Sequence, residues 1–201
     1  MLLRRITPIA VAALMVLAWA GSASARGGKY VFDGGTLKQQ AQVRVALAVS
    51  SFNWSIVPTT VTIHLHKGTG TYAMPGEIWL DTDLVSSGTF AWGPIQHEYA
   101  HQVDFFLLND GQRTRLNGLL GGKVWSHTPG TAARHGPDHT SLGAEHFAST
   151  LAWSYWQSPA NSLKPTSKKD ESAAMAPGKF RALLAQMLGV RNPLVPVVTV
   201  G

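Results

Sequence analysis

The alternation of apolar and polar residues predicts two short strands in the first half of the chain. In residues 60–66 every second residue is apolar, so one face is suited to a core, while His64 and His66 share the opposite face. A period of two is typical of a half-buried strand. We interpret the two histidines as part of a solvated face, with metal binding as the alternative. Glu77–Asp81 predicts a second strand, whose edge is suited to pairing with an extended substrate.

Longer segments with apolar residues on one side predict helices. Thr36 is suited to cap the first of them, Pro94 lies in the first turn of the second, and Ser141 is suited to cap a later one. Residues 121–138 form a loop rich in Gly, Pro and His, and we expect residues 168–171 to form a solvated loop. The predicted helices cover residues 37–52, about 94–108, 113–120, 142–157 and 179–188.

The order of these elements predicts an α+β fold in which a small sheet precedes most of the helices. Residues 26–35 are rich in glycine and polar side chains, so we expect a loose start. The apolar residues 195–200 predict an edge strand. The sequence has no internal repeat, and the length suits a single domain over residues 26–201.

The first 25 residues have the organisation of an export signal. Arg4 and Arg5 precede an uncharged apolar run at 9–20, and residues 23–25 have the small side chains of a signal peptidase site. The run is short for a bilayer span, although an uncleaved membrane anchor is the alternative. We therefore expect residues 1–25 to be removed. The mature protein is then secreted, either extracellular or associated with the cell wall, without stable insertion in a membrane.

Composition narrows the class of protein further. Removal of Arg4 and Arg5 with the signal lowers the formal net charge from +6 to +4. This charge is too small and too dispersed for nucleic-acid binding, so we expect no nucleic-acid partner. The chain has no cysteine and therefore no disulfide, but six of its seven tryptophans lie beyond the signal and indicate a packed core.

The strongest chemical signal is the segment His97-Glu98-Tyr99-Ala100-His101, which lies inside a predicted helix. The two histidines are four residues apart, so both imidazoles lie on one helix face and can reach one ion. Glu98 is rotated by about 100° from His97, where it can reach a water at the metal without being a ligand. The spacing predicts a Zn²⁺ site in which Glu98 is the general base.

A catalytic zinc ion needs a third protein ligand and keeps one position open. Glu145 is the preferred candidate, because it lies in the first turn of a separate predicted helix. Asp104 lies too close to His101 along the helix to complete a tetrahedron, but it is suited to accept a hydrogen bond from a ligand imidazole. Asp138 is suited to the same role. The candidates for the third ligand are Asp104, Asp110, Asp138, His139, Glu145 and His146.

The segment His97-Glu98-Tyr99-Ala100-His101-Gln102-Val103-Asp104, followed by Glu145-His146-Phe147-Ala148, resembles the gluzincin class of zinc peptidases. It is most similar to the family of the anthrax lethal factor catalytic domain, over residues 97–148. The resemblance implies zinc bound by His97, His101 and Glu145, with Glu98 as base. It also implies a zincin-like fold, in which a small mixed sheet packs on the motif helix and a later helix carries the third ligand.

The stretch before Glu145 departs from this family, which has a tyrosine there to stabilise the oxyanion. Residues 136–140 contain no tyrosine. His139 could take that role through a ring N–H, and Tyr155, almost three turns past Glu145, is the alternative. His127 is expected to lie at the rim of the site.

These features predict a secreted zinc endopeptidase that acts on a protein or peptide substrate. Glu98 takes a proton from the attacking water and passes it to the leaving amine, while Zn²⁺ and His139 stabilise the oxyanion. Two other classes remain open: a binding module that keeps the fold without catalysis, and a zinc hydrolase of a non-protein substrate. The carboxylate of Glu98 argues against the binding module, because binding alone does not need it.

Overall fold

The structure of the protein is a computed structural model, which describes residues 27–127 and 139–190. The export signal at 1–25, the role of Asp138 and the strand at 195–200 lie outside the described residues. Within the described ranges the chain forms a small sheet of four strands and six α-helices, which confirms the α+β class. None of these helices has the length and apolar character needed to cross a membrane.

The elements are β1 (Tyr30–Gly34), α1 (Leu37–Val49), β2 (Val61–His66), β3 (Tyr72–Met74), β4 (Glu77–Asp81), α2 (Thr82–Val85), α3 (Trp92–Leu107), α4 (Asp110–Leu120), α5 (Gly143–Tyr155) and α6 (Pro177–Leu188). The predicted strands at 60–66 and 77–81 correspond to β2 and β4. The predicted helices correspond to α1, α3, α4, α5 and α6, with ends that differ by a few residues.

The four strands form one mixed sheet in the order β1-β2-β4-β3. Strands β1 and β4 lie on either side of β2 and run parallel to it, whereas β3 pairs antiparallel with β4. The prediction that Glu77–Asp81 provides the edge is therefore wrong. The short strand β3, which the apolar pattern does not reveal, covers β4 and is itself an edge of the sheet.

The expected loose start at 26–35 is also wrong, because Tyr30–Gly34 forms strand β1. Tyr30 and Phe32 pack against the hydrophobic core. Arg44 of α1 adds a cation–π contact, with its guanidinium carbon 4.8 Å from the Phe32 ring centre. These distant contacts and the pairing with β2 stabilise the strand, and neither is visible in residues 26–35, where glycines lie on both sides of the strand.

One face of the sheet forms the floor of the hydrophobic core. Val61, Ile63 and Leu65 of β2 are buried there, together with Ile78 and Leu80 of β4. Burial of an aliphatic side chain of this size contributes about 1.5–3 kcal/mol. The alternate residues of β2 lie on the outer face, as the period of two predicts.

The starts of the helices follow the predictions in part. Thr36 caps α1 through its side chain, as predicted. The prediction for Ser141 is wrong, because α5 begins after Leu142 and has no side-chain cap. The start of α5 is held by the backbone instead, since the Gly143 N–H donates to the carbonyl oxygen of Val124 at 2.8 Å.

Helices α3 and α5 pack against each other in the core and carry the polar residues of interest. Both helices are buried along most of their length. Ala100 and Val103 of α3 belong to the same hydrophobic cluster as Phe147 and Leu151 of α5. Close packing of these side chains fixes the relative position of the two helices, and with it the position of the polar groups they carry.

Candidate metal centre

Helix α3 places His97, Glu98 and His101 in the interior of the protein. Their exposed fractions are 8%, 7% and 4%. The two imidazole rings lie on one helix face, with 4.9 Å between ring centres and 3.2 Å between the two Nε2 atoms. The helix therefore brings the two rings together, as the four-residue spacing indicates.

Helix α5 brings Glu145 to the same point. Its Oε2 lies 3.0 Å from His97 Nε2 and 3.4 Å from His101 Nε2. The three donor atoms thus form a small triangle inside the protein, and Glu145 is only 4% exposed. Two groups of three side chains that share His97 could hold a metal ion: His97 with Glu98 and His101, and His97 with His139 and Glu145.

Ser149 orients the imidazole ring of His97. His97 Nδ1 lies 3.0 Å from Ser149 Oγ, and Ser149 Oγ donates to Glu171 Oε2 at 2.9 Å. In a neutral His97 ring this arrangement places the proton on Nδ1, and the lone pair of Nε2 can then bind a metal ion. The carboxylate of Glu171 thus acts on His97 through Ser149.

The sequence predicts neither Ser149 nor Glu171. A signal for Ser149 exists, because it follows Glu145 by four residues and so lies on the same helix face. Glu171 has no such signal, since it lies in a polar stretch 22 residues after Ser149. The expected solvation of residues 168–171 is wrong for Glu171, whose side chain is 14% exposed.

His139 lies beside the triangle, in a 3-10 turn just before α5. Its Nε2 is 3.1 Å from Glu145 Oε2, and its Nδ1 is 2.6 Å from Glu171 Oε1. Hydrogen bonds to Glu145 and Glu171 raise the pKa of His139 to about 10, against the opposite effect of burial. The side chain is 55% exposed, so a cationic donor lies between the buried triangle and solvent.

Asp104 is fully buried and has its own set of partners. Arg113 Nε donates to its Oδ1 at 2.8 Å, and Oδ2 contacts Trp125 Nε1 at 2.9 Å and His127 Nε2. His101 Nδ1, to which Asp104 is expected to bond, has no hydrogen-bond partner in the described part of the chain. Asp104 instead holds His127, whose ring centre is 5.5 Å from that of His101.

The surroundings of Glu145 and Glu98 shift the pKa values of the two carboxyl groups in opposite directions. Burial raises the pKa of Glu145, but hydrogen bonds from the surrounding histidines, His101 first among them, outweigh burial and hold that pKa well below its usual range. Burial also raises the pKa of Glu98, and the charges of His97 and His101 only partly offset this effect. Glu145 is therefore a carboxylate, while Glu98 is the more basic group.

The other residues considered for the site point elsewhere. The side chain of Asp110 is 99% exposed. Both ring nitrogens of His146 lie 2.8 Å from backbone carbonyl oxygens. Tyr155, the alternative oxyanion donor, packs its ring against Phe52 with 4.9 Å between ring centres, and burial raises its pKa to about 12. Of the five candidates for the third ligand that lie among the described residues, Glu145 and His139 are the two that contact His97 or each other at the triangle.

Comparisons of the chain with known protein families, with curated proteins and with solved structures gave no match in any of the three. Functional inference therefore depends on the geometry of the triangle and of the groups around it. Those groups are a base candidate at Glu98, a cationic donor at His139 and a supporting carboxylate at Glu171.

Proposed function

We propose that this protein is a secreted zinc peptidase of zincin-like fold, in which His97, His101 and Glu145 bind the metal. The observation that carries this proposal is the triangle of their donor atoms, with sides of 3.0, 3.2 and 3.4 Å. Nitrogen and oxygen ligands about 2.0–2.1 Å from zinc lie about 3.3 Å apart in a tetrahedron. The three donor atoms therefore match one face of a tetrahedral zinc site.

The chemistry of the donor atoms also favours zinc. Two imidazole nitrogens and one carboxylate oxygen are common zinc ligands, whereas calcium and magnesium take oxygen ligands. Three protein ligands leave one coordination position open, which is typical of a catalytic site rather than a structural one. A zinc ion would supply Lewis acidity, which lowers the pKa of a water and polarises a carbonyl oxygen.

Glu98 is suited to be the general base. Its carboxylate offers an oxygen within 4.8 Å of the ring nitrogens of His97 and His101, yet it is not part of the triangle. The raised pKa of this carboxylate brings its basicity closer to that needed at neutral pH. Glu98 would accept the proton of the attacking water and pass it to the leaving amine.

His139 is suited to stabilise the oxyanion. Glu171 holds the ring at Nδ1, so Nε2 faces the triangle. A cationic imidazole with a fixed orientation can donate a hydrogen bond to the negative charge that develops on the carbonyl oxygen. His139 would then replace the tyrosine of the family that the sequence resembles.

The neighbourhood of His101 supports a peptide as the substrate. Strand β3 is an edge of the sheet, and a strand edge can pair with an extended peptide. Gln102, the residue after His101, ties this edge to α3. Its Nε2 donates to the carbonyl oxygens of Met74 and Glu77 at 2.9 and 3.1 Å, and its Oε1 accepts from the Gly76 N–H at 2.8 Å.

The proposal is tested by metal analysis of the purified mature protein and by an assay on an unfolded general protein substrate. We expect at least one equivalent of bound zinc and proteolysis in the wild type, and loss of one equivalent in Glu145→Ala. Glu98→Gln should keep the zinc and lose activity by about 10²–10⁴-fold, as expected for loss of a general base. Asp110→Asn removes a carboxylate from the surface and serves as the matched control, with unchanged zinc and activity.

Each alternative has its own outcome in this experiment. A wild type without bound zinc overturns the metal site. Equal proteolysis by wild type and Glu98→Gln overturns the role of Glu98. Bound zinc without any hydrolysis of peptide bonds overturns the peptidase assignment, and leaves the binding module or a hydrolase of a non-protein substrate.

A further inference from the structure

A second group of possible metal ligands lies on the outer face of the sheet. It consists of Asp33 at the end of β1 and of His64 and His66 on β2. Asp33 Oδ2 lies 2.8 Å from His64 Nδ1 and 3.0 Å from His66 Nε2. The core and helix α3 lie on the opposite face of the sheet, so this group is separate from the triangle around Glu145.

The strand geometry accounts for this arrangement. Residues two apart on a strand point to the same side, which places both histidines of β2 on the outer face. Asp33 is in register with His64 on the parallel neighbour β1. A carboxylate from one strand and two imidazoles from the next therefore converge without any loop.

Stacking holds the His64 ring in place. Its ring lies 4.5 Å from that of Trp79 at an interplanar angle of 16°, and Trp79 stacks in turn on Tyr72 at 4.8 Å and 8°. His64 Nε2 is buried and has no hydrogen-bond partner among the described residues, so Nδ1 is the nitrogen that makes the polar contact. A fixed ring of this kind needs little ordering before it binds an ion.

Gly34 makes room for His66. It has a φ of +78°, and a Cβ at this position would lie 2.9 Å from His66 Cε1 and 2.8 Å from the carbonyl oxygen of Leu65. A side chain at residue 34 would therefore displace the ring from Asp33. Glycine at the end of β1 keeps the three ligands together.

We propose that Asp33, His64 and His66 bind a divalent transition-metal ion of the Zn²⁺ class. Two imidazole nitrogens and one carboxylate oxygen form a ligand set for zinc or copper, and a poor set for calcium or magnesium. The side chains of Asp33 and His66 are 55% and 46% exposed, so the ion keeps an open side toward solvent and exchanges readily. The ion links β1 to β2 at one edge of the sheet.

The alternative is a solvated strand face in which the two histidines only hydrogen-bond to Asp33. Exposed contacts of that kind contribute little to stability and need no metal. The two possibilities differ in zinc stoichiometry. With the metal site on the sheet, the protein binds two zinc ions per chain; with hydrogen bonds alone, it binds one at most.

The test uses the mature protein stripped with EDTA and dialysed against increasing free Zn²⁺, with bound metal measured by mass spectrometry. We expect two ions in the wild type, and a loss of affinity for one of them by more than about 100-fold in His66→Ala and in Asp33→Asn, since loss of even an outer partner of a ligand costs 10–100-fold. Asp83→Asn removes an exposed carboxylate that pairs with Lys67, and should keep both ions. His66→Ala does not disturb the core, because this side chain is half exposed.

Glu145→Ala separates this site from the triangle. We expect this variant to keep one ion, and Glu145→Ala with His66→Ala to keep none. If Glu145→Ala binds no zinc, the proposed site on the sheet is overturned. That result still agrees with the proposed zinc site at the triangle. A wild type that binds a single ion, lost in His66→Ala and kept in Glu145→Ala, overturns the proposed peptidase site and supports the site on the sheet.

Discussion

His97 Nδ1 and Ser149 Oγ lie 3.0 Å apart across the interface of α3 and α5. This contact connects the first histidine of the motif to the helix that carries Glu145. Because Ser149 also donates to Glu171, the ring of His97 is held by a carboxylate through one hydroxyl group. Outer partners of this kind orient a ligand imidazole and raise its basicity.

Replacement of Ser149 by alanine should weaken zinc binding by about 10–100-fold, the usual effect of losing the outer partner of a ligand. Competition with a chelator measures the change. Ser154→Ala is the matched control, because Ser154 is buried on the same helix and its Oγ has no hydrogen-bond partner among the described residues. Equal zinc affinity in Ser149→Ala and wild type would contradict the role of Ser149 as the partner that orients His97.

If the protein binds zinc as proposed, chelation of the metal should lower its thermal stability. A ligand that binds only the folded state at 100 times its Kd adds about 2.7 kcal/mol, which for a chain of this size raises Tm by roughly 5–10 °C. Calorimetry with EDTA and with added Zn²⁺ measures the shift. Glu145→Ala should lose most of this difference in Tm. Any difference that remains should disappear when His66→Ala is added to Glu145→Ala. A Tm that is the same with EDTA and with Zn²⁺ would contradict both metal sites.

Asp104→Asn should make the stability of the protein less dependent on pH in the acid range. Burial raises the pKa of Asp104, but hydrogen bonds from His127 and Arg113 outweigh burial and leave that pKa below its ordinary value. A lowered folded-state pKa stabilises the protein above the unfolded value of about 3.9, and this stabilisation is lost as the pH falls below it toward the folded-state pKa.

Urea unfolding of wild type and Asp104→Asn at pH 7, 5 and 3 measures this effect. We expect the variant to be less stable at pH 7 by about 1–3 kcal/mol, with a smaller difference at pH 3. Asp110→Asn replaces the exposed carboxylate that pairs with Arg113. Its free energy of unfolding should equal that of the wild type at all three pH values. A difference between Asp104→Asn and wild type that grows toward pH 3 would contradict the lowered pKa.

Gln102→Met should affect both stability and substrate binding. The side chain makes three hydrogen bonds to the turn between β3 and β4, and each buried group left without a partner costs about 1–3 kcal/mol. If a peptide pairs with β3, the loosened edge should raise KM more than it lowers kcat.

Gln96→Met provides the comparison for Gln102→Met. Gln96 is also fully buried on α3, but its Nε2 donates to the carbonyl oxygen of Ala46 on α1. We expect this variant to lose stability with no change in KM. The same KM in both variants and wild type would argue against β3 as the edge that binds substrate.

His139→Ala should keep zinc and lower kcat by about 10²–10³-fold with little change in KM, as expected for loss of an oxyanion donor. Glu171→Gln should act in the same direction, since Glu171 holds the ring through Nδ1. At saturating zinc, the kcat of the double variant should be little lower than that of His139→Ala, because Glu171 acts on kcat through the His139 ring. Loss of zinc in His139→Ala would show that this histidine is a ligand instead.

The part of the site on α3 follows from local rules. A spacing of four residues on a helix is enough to place His97 and His101 on one face, and the helical pattern around them is strong. The choice of Glu145 over other acidic residues follows from the need for a ligand on a separate element. Both inferences use only distances along the chain and the period of a helix.

The rest of the site depends on contacts between distant parts of the chain. Glu171 lies in a stretch rich in serine and lysine, and it is buried only because the chain folds back onto α5. Strand β1 is stabilised by its neighbour β2 and by Arg44. Neither contact is visible in residues 26–35, where the flanking glycines favour a loop. Asp104 matches the pattern of a partner for His101, but Arg113 and Trp125 bind its carboxylate instead. The alternation of apolar and polar residues along the chain does not predict such contacts between distant residues.

Glu145 of α5 lies in direct contact with His97 and His101 of α3. If these side chains bind zinc as proposed, the site would form only in the folded protein, because α3 and α5 are separate in the sequence, and binding would release protons from the imidazole rings. Under the proposed function, zinc binding would then follow folding and export. Its rate should then depend on the supply of zinc outside the cell and on the release of protons, so acid surroundings should slow it.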